Sequence, residues 1–265
     1  MKLLTILSIL IFGASDQGKV RANGFIDPRK PTTNRDTMTF GPALEVVHEF
    51  HKQMPTGVAV STNGRIFITY PRIADSVRYS LAEIVNGKEI PYPSLSIHPK
   101  FFEIQQANIT TKSFKDSIVS AQTAVLDSQD RLWVVDTGSI LRGKTINGGC
   151  KLLRIDLQTN QVVDRILFST PEVHDDSYVS DVRFDLSRGY AYMTDSGPKP
   201  GLLVVDLESR KSWRKLDNHP FTSATEKFVP VVEGVPIQPI TNGVYGHMAI
   251  GADGISLNAD GTRLY

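Results

Sequence analysis

The chain has 265 residues, of which 40% are hydrophobic and 22% charged, enough to bury a sizeable core and ordinary for a globular protein. Its 29 basic and 28 acidic residues leave a formal charge of +1. They are spread along the chain without the basic stripe that a phosphate backbone requires, so no nucleic-acid partner is expected.

The N-terminus opens with one cation, Lys2, then an apolar run over residues 3–12 interrupted only by Thr5 and Ser8, then the small residues Gly13, Ala14 and Ser15. This layout predicts a secretory signal peptide over residues 1–22, and residues 23–265 as the exported part. The run is too short to span a bilayer, and no other segment is apolar enough, so no membrane contact is expected after its removal. Export exposes the chain to oxidising conditions. Cys150 is the only cysteine, so no disulfide can form within these residues, and the thiol is either buried or has its partner elsewhere. Asn108, in Asn108-Ile109-Thr110, is an acceptor sequence for N-linked sugar.

Beyond an expected early strand around residues 45–51, four segments repeat one pattern: residues 57–70, 124–136, 181–195 and 254–265. Each holds a short strand, a polar turn and a second strand with two-residue hydrophobic alternation, the mark of a β-hairpin. The turns are Thr62-Asn63-Gly64, Ser128-Gln129-Asp130, Ser187-Arg188-Gly189 and Ala259-Asp260-Gly261, rich in the residues a tight reversal demands. Further strand pairs lie between them, clearest at residues 151–157 with 161–168 and 201–207 with 211–216. Two hairpins make a four-stranded unit, recurring at roughly 57 to 73 residues, and no stretch carries a sustained helical stripe. The expected fold is all-β, a propeller of four-stranded blades; a sandwich does not require one double hairpin to recur in order. Three complete blades and the first hairpin of a fourth fall within the sequence, about three and a half blades, so ring closure is expected to need residues beyond Tyr265.

In a propeller the inner strands start, and the second strands end, on the same rim. Thr56, Gln122, Thr123, Ser180, Asp181 and Asp253 precede or begin inner strands, while Arg72, Asp136 and Asp195 follow or end second strands. The ligand-binding mouth is therefore expected to draw on Thr56, Arg72, Gln122, Asp136, Asp181, Asp195 and Asp253, with His247 reaching it from a loop. Asp136 and Asp195 each lead into a glycine turn, where an aspartate can simply satisfy backbone N–H groups. Asp181 and Asp253 begin strands, where turn chemistry explains them less well, and are the better mouth candidates. Carboxylates around a channel could hold a hard cation, which makes calcium the one cofactor to consider and Asp253 its candidate ligand; none is required. His174 fits a solvated loop and His219 a turn. No Ser-His-Asp order, phosphate loop or Cys/His metal spacing is present.

These residues also carry a resemblance. Pro55-Thr56-Gly57-Val58-Ala59-Val60 with Arg65-Ile66-Phe67-Ile68 and Pro71-Arg72, the run Leu132-Trp133-Val134-Val135-Asp136-Thr137-Gly138, and the stretch from Cys150 to Leu157 are similar to the yellow/major royal jelly proteins. So are Tyr178-Val179-Ser180-Asp181-Val182-Arg183-Phe184, Ala191-Tyr192-Met193-Thr194-Asp195-Ser196-Gly197, Trp213-Arg214, Asp217-Asn218-His219-Pro220 and Gly251-Ala252-Asp253-Gly254-Ile255. The resemblance runs from about Glu45 to the C-terminus and implies a secreted six-bladed propeller about half again as long as this chain.

It further implies a mouth that binds a small aromatic or oxygenated metabolite. In the family this means conversion of pigment precursors, and related fungal propellers catalyse hetero-Diels–Alder couplings. An enzyme of pigment or specialised-metabolite synthesis is the leading expectation, by isomerisation or pericyclic coupling. A non-catalytic ligand carrier is the alternative, as family members that bind amines or sterols imply. A third reading, a metal-dependent lactonase, comes from more distant propellers. Asp253 resembles one of their calcium ligands, but Thr56 stands where they have a glutamate and Ser180 where they have an asparagine.

Overall fold

The computed structural model describes residues 45–73, 77–107, 112–225, 228–232, 234–241, 244–246 and 249–265. The expected signal segment, the sugar acceptor Asn108 and His247 lie outside the described residues. The chain divides into Met1–His51 and Lys52–Tyr265. Within the first, residues 45–51 form no strand, a correction to the sequence expectation. Strand alternation would bury one of the adjacent Val46 and Val47 and expose the other, yet both are exposed, at 79% and 54%.

Lys52–Tyr265 contains three four-stranded antiparallel sheets, each a meander in chain order. The first runs β1 (Gly57–Val60), β2 (Ile66–Thr69), β3 (Leu81–Val85) and β4 (Lys88–Pro91). The second runs β5 (Ala121–Leu126), β6 (Leu132–Thr137), β7 (Cys150–Asp156) and β8 (Gln161–Leu167), and the third β9 (Val179–Asp185), β10 (Tyr190–Asp195), β11 (Gly201–Asp206) and β12 (Ser212–Lys215). Their first strands lie side by side, β1 against β5 and β5 against β9. Consecutive meanders ranked by their inner strands are propeller blades, and the fold is that all-β architecture.

Alternation along β6 shows why the blades stack. Leu132 and Val134 enter a core with Ala59, Phe67 and Leu81 of the first blade. Trp133 and Val135 point the other way, into a core with Val182, Ala191, Met193 and Leu203 of the third. A strand buried on both faces reads as a continuous apolar run, which is what Leu132-Trp133-Val134-Val135 is.

The turns far from the mouth are tight and self-capped. Asp156 Oδ1 accepts the N–H groups of Gln158 and Thr159 at 2.9 and 2.7 Å, and Asp206 Oδ1 those of Glu208 and Ser209, both at 3.0 Å, the same Asx turn in successive blades. Asp127 ties its turn to the core: Oδ1 accepts Gln129 N and Arg131 N, while Oδ2 accepts Arg131 Nε at 2.6 Å and Trp133 Nε1 at 2.7 Å. Trp133→Phe is therefore expected to cost about 1.5 kcal/mol, the worth of a hydrogen bond to a charged acceptor. Urea unfolding checks it, and a loss below a few tenths would mean that Asp127 is held by Arg131 alone.

Three features go beyond the sequence expectation. A short helix, α1 (Phe101–Gln106), lies between the first two blades. It contributes Ile104 to a small core with Phe114, Val119 and Ile146. Two short hairpins, β13 (Val231–Val232) with β14 (Val235–Pro236) and β15 (Ile240–Thr241) with β16 (Val244–Tyr245), follow the third blade. The expected fourth hairpin is present in outline: Ser256 and Tyr265 exchange backbone hydrogen bonds at 2.9 and 2.8 Å across a Leu257–Leu264 bridge.

Candidate functional site

Long connections gather on the rim where inner strands start. They include residues 92–120 between β4 and β5 and residues 138–149 between β6 and β7. Loops of that length in a compact fold are where binding sites are found.

Three of the residues expected at the mouth are instead withdrawn into the protein. Asp136 has no exposed surface. Its Oδ1 accepts the N–H groups of Ser120 (2.8 Å) and Gly138 (3.0 Å), and its Oδ2 accepts Val119 N (2.7 Å) and Lys151 Nζ (2.8 Å). Lys151 is equally buried and also donates to the carbonyls of Gly149 and Gly148, at 2.7 and 3.2 Å. Asp195 repeats the scheme one blade on: Oδ1 accepts Tyr178 N (2.8 Å) and Gly197 N (3.0 Å), and Oδ2 accepts Ser177 Oγ (2.6 Å) and Arg214 Nη1 (2.8 Å). Each aspartate thus ties the chain entering an inner strand to the turn after the second strand, with a cation from an outer strand neutralising it.

Arg72 is also fully buried. Its guanidinium donates to the carbonyls of Val77 (3.2 Å), Pro99 (2.8 Å), Ile118 (3.5 Å) and Val119. Burial draws its pKa down to about 10, which the nearby Asp136 carboxylate opposes. A buried side chain with every nitrogen turned onto backbone carbonyls is a structural clamp and does not face a ligand.

The remaining residues converge. Thr56 Oγ1 and Thr69 Oγ1 both donate to the Gln122 carbonyl at 2.9 Å, joining the first two blades at the rim. Gly57 makes the approach possible: a Cβ there would stand 2.6 Å from Thr69 Oγ1 and 3.4 Å from the Gln122 carbonyl. The Gln122 side chain turns toward the third blade, where its Oε1 accepts the Tyr178 hydroxyl at 2.7 Å. The Asp253 carbonyl accepts Thr194 Oγ1, and Thr194 Oγ1 in turn accepts Asp181 N at 3.2 Å. Asp181 is spent on structure: Oδ1 accepts Val182 N and Arg183 Nη1, both at 2.8 Å, and Oδ2 accepts Ile255 N at 3.3 Å.

Tyr178 is the centre that the strand-end reading did not identify. It is 5% exposed and precedes β9. Burial pushes its phenol well above the usual range, the charge of Arg142 opposes this, and that of Asp253 adds to it. The Arg142 guanidinium stacks over the Tyr178 ring, 4.7 Å from its centroid, a cation–π contact. Arg142 reaches across from the β6–β7 loop, where Leu141 and Arg142 both hold positive φ, 53° and 51°. Two consecutive side-chain-bearing residues in the left-handed region are a strained arrangement. It is pinned by Leu141 N donating to the Arg72 carbonyl at 2.6 Å and by Thr145 N donating to Asp175 O at 2.7 Å.

Around Tyr178, among the described residues, three polar groups have no protein partner: the Gln122 Nε2 amide, the exposed Arg142 guanidinium apart from its ring contact, and the half-buried Asp253 carboxylate. Gln122 meets the Tyr178 hydroxyl, Arg142 covers its ring, and the Asp253 charge acts on its phenol, so an amide donor, a cation and a carboxylate lie in its neighbourhood.

Among the described residues no group of three or more His, Cys, Asp or Glu side chains could hold a metal ion. The Asp181 carboxylate is taken, Thr56 Oγ1 is bonded to the Gln122 carbonyl, and Ser180 Oγ is bonded to Ser196 Oγ at 2.7 Å. Cys150 is buried, which pushes its thiol up and away from reactivity.

Fold and rim define a β-propeller with a polar, aromatic-centred mouth. The major royal jelly protein family model matches residues 119–254, a span containing Gln122, Arg142, Tyr178 and Asp253. The chain belongs to this family. It is 30% identical over 174 residues to a protein named Protein yellow from Drosophila pseudoobscura pseudoobscura, a match covering 61% of this chain and 29% of that protein. It is 26% identical over 167 residues to dopaminechrome tautomerase from Drosophila melanogaster, covering 61% of this chain and 35% of the relative. The chain thus spans about a third of the length of the relatives it matches. Among solved structures, the extracellular domain of a hybrid two-component system from B. thetaiotaomicron aligns with a TM-score of 0.42 and 10% identity, covering 84% of this chain and 23% of that one.

Proposed function

We propose that this chain supplies the mouth of a secreted propeller that isomerises a small oxygenated aromatic of the pigment-precursor type. The observation that carries the reading is the buried Tyr178 with Gln122 on its hydroxyl and Arg142 over its ring, the Gln122 Nε2 amide and the Arg142 guanidinium having no other protein partner among the described residues. A relative named for tautomerising dopaminechrome supports the substrate class. Isomerisation is favoured over pericyclic coupling because the relative's printed name is that of a tautomerase. Secretion rests on the N-terminal pattern and on family membership; no helix of the described residues is long and apolar enough to cross a membrane. The partner is a small molecule, and the chemistry requires no cofactor.

The full chain, at one part in a hundred of dopaminechrome, is expected to clear the aminochrome absorbance many times over its own concentration. Clearance that stops at one equivalent would replace the isomerase with a carrier. No change in absorbance and no bound chromophore would remove the ligand-binding reading altogether.

A further inference from the structure

Resting on the ligand class of that reading and not on its turnover, we infer that Gln122 and Arg142 select a ring bearing oxygens on two adjacent carbons, a catechol or ortho-quinone. Arg142 holds the more anionic oxygen, the Gln122 Nε2 amide holds its neighbour, and Tyr178 is the positioning residue that aims the amide. Gln122 is the extra residue of a β-bulge: Ala121 faces Asp136 and Thr123 faces Val135, so Gln122 has no partner across the ladder from β5 to β6. A bulge turns one side chain out of the strand's alternation, a device common beside binding sites. The two ends of Gln122 are then fixed separately. Its carbonyl accepts Thr56 Oγ1 and Thr69 Oγ1, and its Oε1 accepts the Tyr178 hydroxyl at 2.7 Å. Because the phenol donates, it takes the amide oxygen, and the two Nε2 hydrogens are left without a protein acceptor among the described residues.

Arg142 meets the same side chain at its ring, its guanidinium carbon 4.7 Å from the centroid, with no ion pair or hydrogen bond among the described residues. Nearby Lys144, by contrast, is paired with Asp175 at 3.7 Å. Gln122 and Arg142 thus contact the hydroxyl and the ring face of one phenol, so both donors lie within reach of one small ring. The hydroxyls of the rim are spent: Thr56 and Thr69 on the Gln122 carbonyl, and Ser180 and Ser196 on each other at 2.7 Å beside the Tyr178 carbonyl. A planar cationic fork suits a charged oxygen and a neutral amide an uncharged one, so the amide is the group that reads the second oxygen.

Equilibrium binding of 4-nitrocatechol and 4-nitrophenol, both monoanions at mildly alkaline pH and followed by their visible absorbance, reads the two donors separately. The wild-type full chain is expected to bind the catechol about tenfold more tightly than the phenol, the worth of one additional hydrogen bond. Gln122→Leu and Tyr178→Phe should each bring that ratio near one while leaving nitrophenol affinity within about twofold of wild type. Arg142→Gln should weaken both ligands about tenfold and keep the ratio. Gln122→Glu retains an acceptor for the Tyr178 hydroxyl but has no donors, and should also lose the preference, which separates ligand contact from a packing role. Equal wild-type affinity for the two ligands, binding of neither, a preference that survives in folded Gln122→Leu, or an Arg142→Gln variant that binds both as wild type does would overturn the inference. The isomerase reading would still stand if dopaminechrome is cleared. A catechol preference without clearance would remove the turnover and keep the subsite, whereas a folded wild type that neither binds these ligands nor clears dopaminechrome would bring down both.

Discussion

Asp136→Ala is expected to lower the stability of the chain by about 3–5 kcal/mol, the cost of stranding one member of a buried ion pair. Lys151, with no exposed surface, would keep its charge against three carbonyls and no carboxylate, and the N–H groups of Val119, Ser120 and Gly138 would lose their acceptor. Set against a typical 5–15 kcal/mol, that is a large fraction of the whole. Asp136→Asn restores an acceptor but not the charge and should recover only part. Asp253→Ala, by contrast, breaks no side-chain bond among the described residues and should stay within about 0.5 kcal/mol of wild type. Urea midpoints of the three variants decide the matter; a loss below about 1 kcal/mol for Asp136→Ala would mean that the loops relax and rehydrate Lys151.

Acid should weaken the fold through His98. This side chain is 5% exposed, and both ring nitrogens are engaged. The Ser80 N–H donates to Nδ1 at 3.2 Å, so Nδ1 must be the unprotonated nitrogen and Nε2–H donates to the Tyr92 carbonyl at 3.0 Å. A proton on Nδ1 would face another donor. Burial draws the pKa from 6.5 down to about 4, with the bond to Tyr92 opposing, the Arg72 charge assisting and the Asp136 charge opposing. Between those two values the unfolded chain binds a proton that the folded chain refuses. Stability contributed by neutral His98 is therefore complete above pH 6.5 and is lost as pH falls toward 4, by about 3 kcal/mol in all. In a chain of this size that is a fall of roughly 6–12 °C in Tm between about pH 7 and pH 4. His98→Gln should be less stable at neutral pH but should lose this part of the pH dependence. Parallel melting curves for the two proteins across the window would sink the account.

The blades were legible because their signal is local. Alternation in strands, Asn and Gly in turns and the recurrence of double hairpins are properties of short segments, and they locate β1–β2, β5–β8 and β9–β12 without tertiary information. Helix α1 was not legible, because six residues are less than two turns and give no period to detect. The site was harder for a different reason. That Asp136 and Asp195 lie near the rim follows from strand ends; that their carboxylates turn inward depends on Lys151 and Arg214, which stand on other strands. Tyr178 was visible in its motif, but nothing in sequence places Arg142 over its ring, since that contact crosses from one blade to the next.

The β6–β7 loop has a further meaning for how such a mouth could diversify. It is fastened to the first blade at the Arg72 carbonyl, to itself where the Ser139 hydroxyl donates to the Gly143 carbonyl at 2.7 Å, and to the segment leading into the third blade through Thr145, whose N–H and hydroxyl donate to the carbonyls of Asp175 and His174. None of these fastenings uses the Arg142 side chain, which also takes no part in the cores that stack the blades. The residue at position 142 is therefore free to vary while its place over the aromatic ring is kept. A change of charge or size there would exchange one preferred ligand for another without asking the propeller to fold again, so relatives that share these blades can differ in chemistry by the content of a single strap.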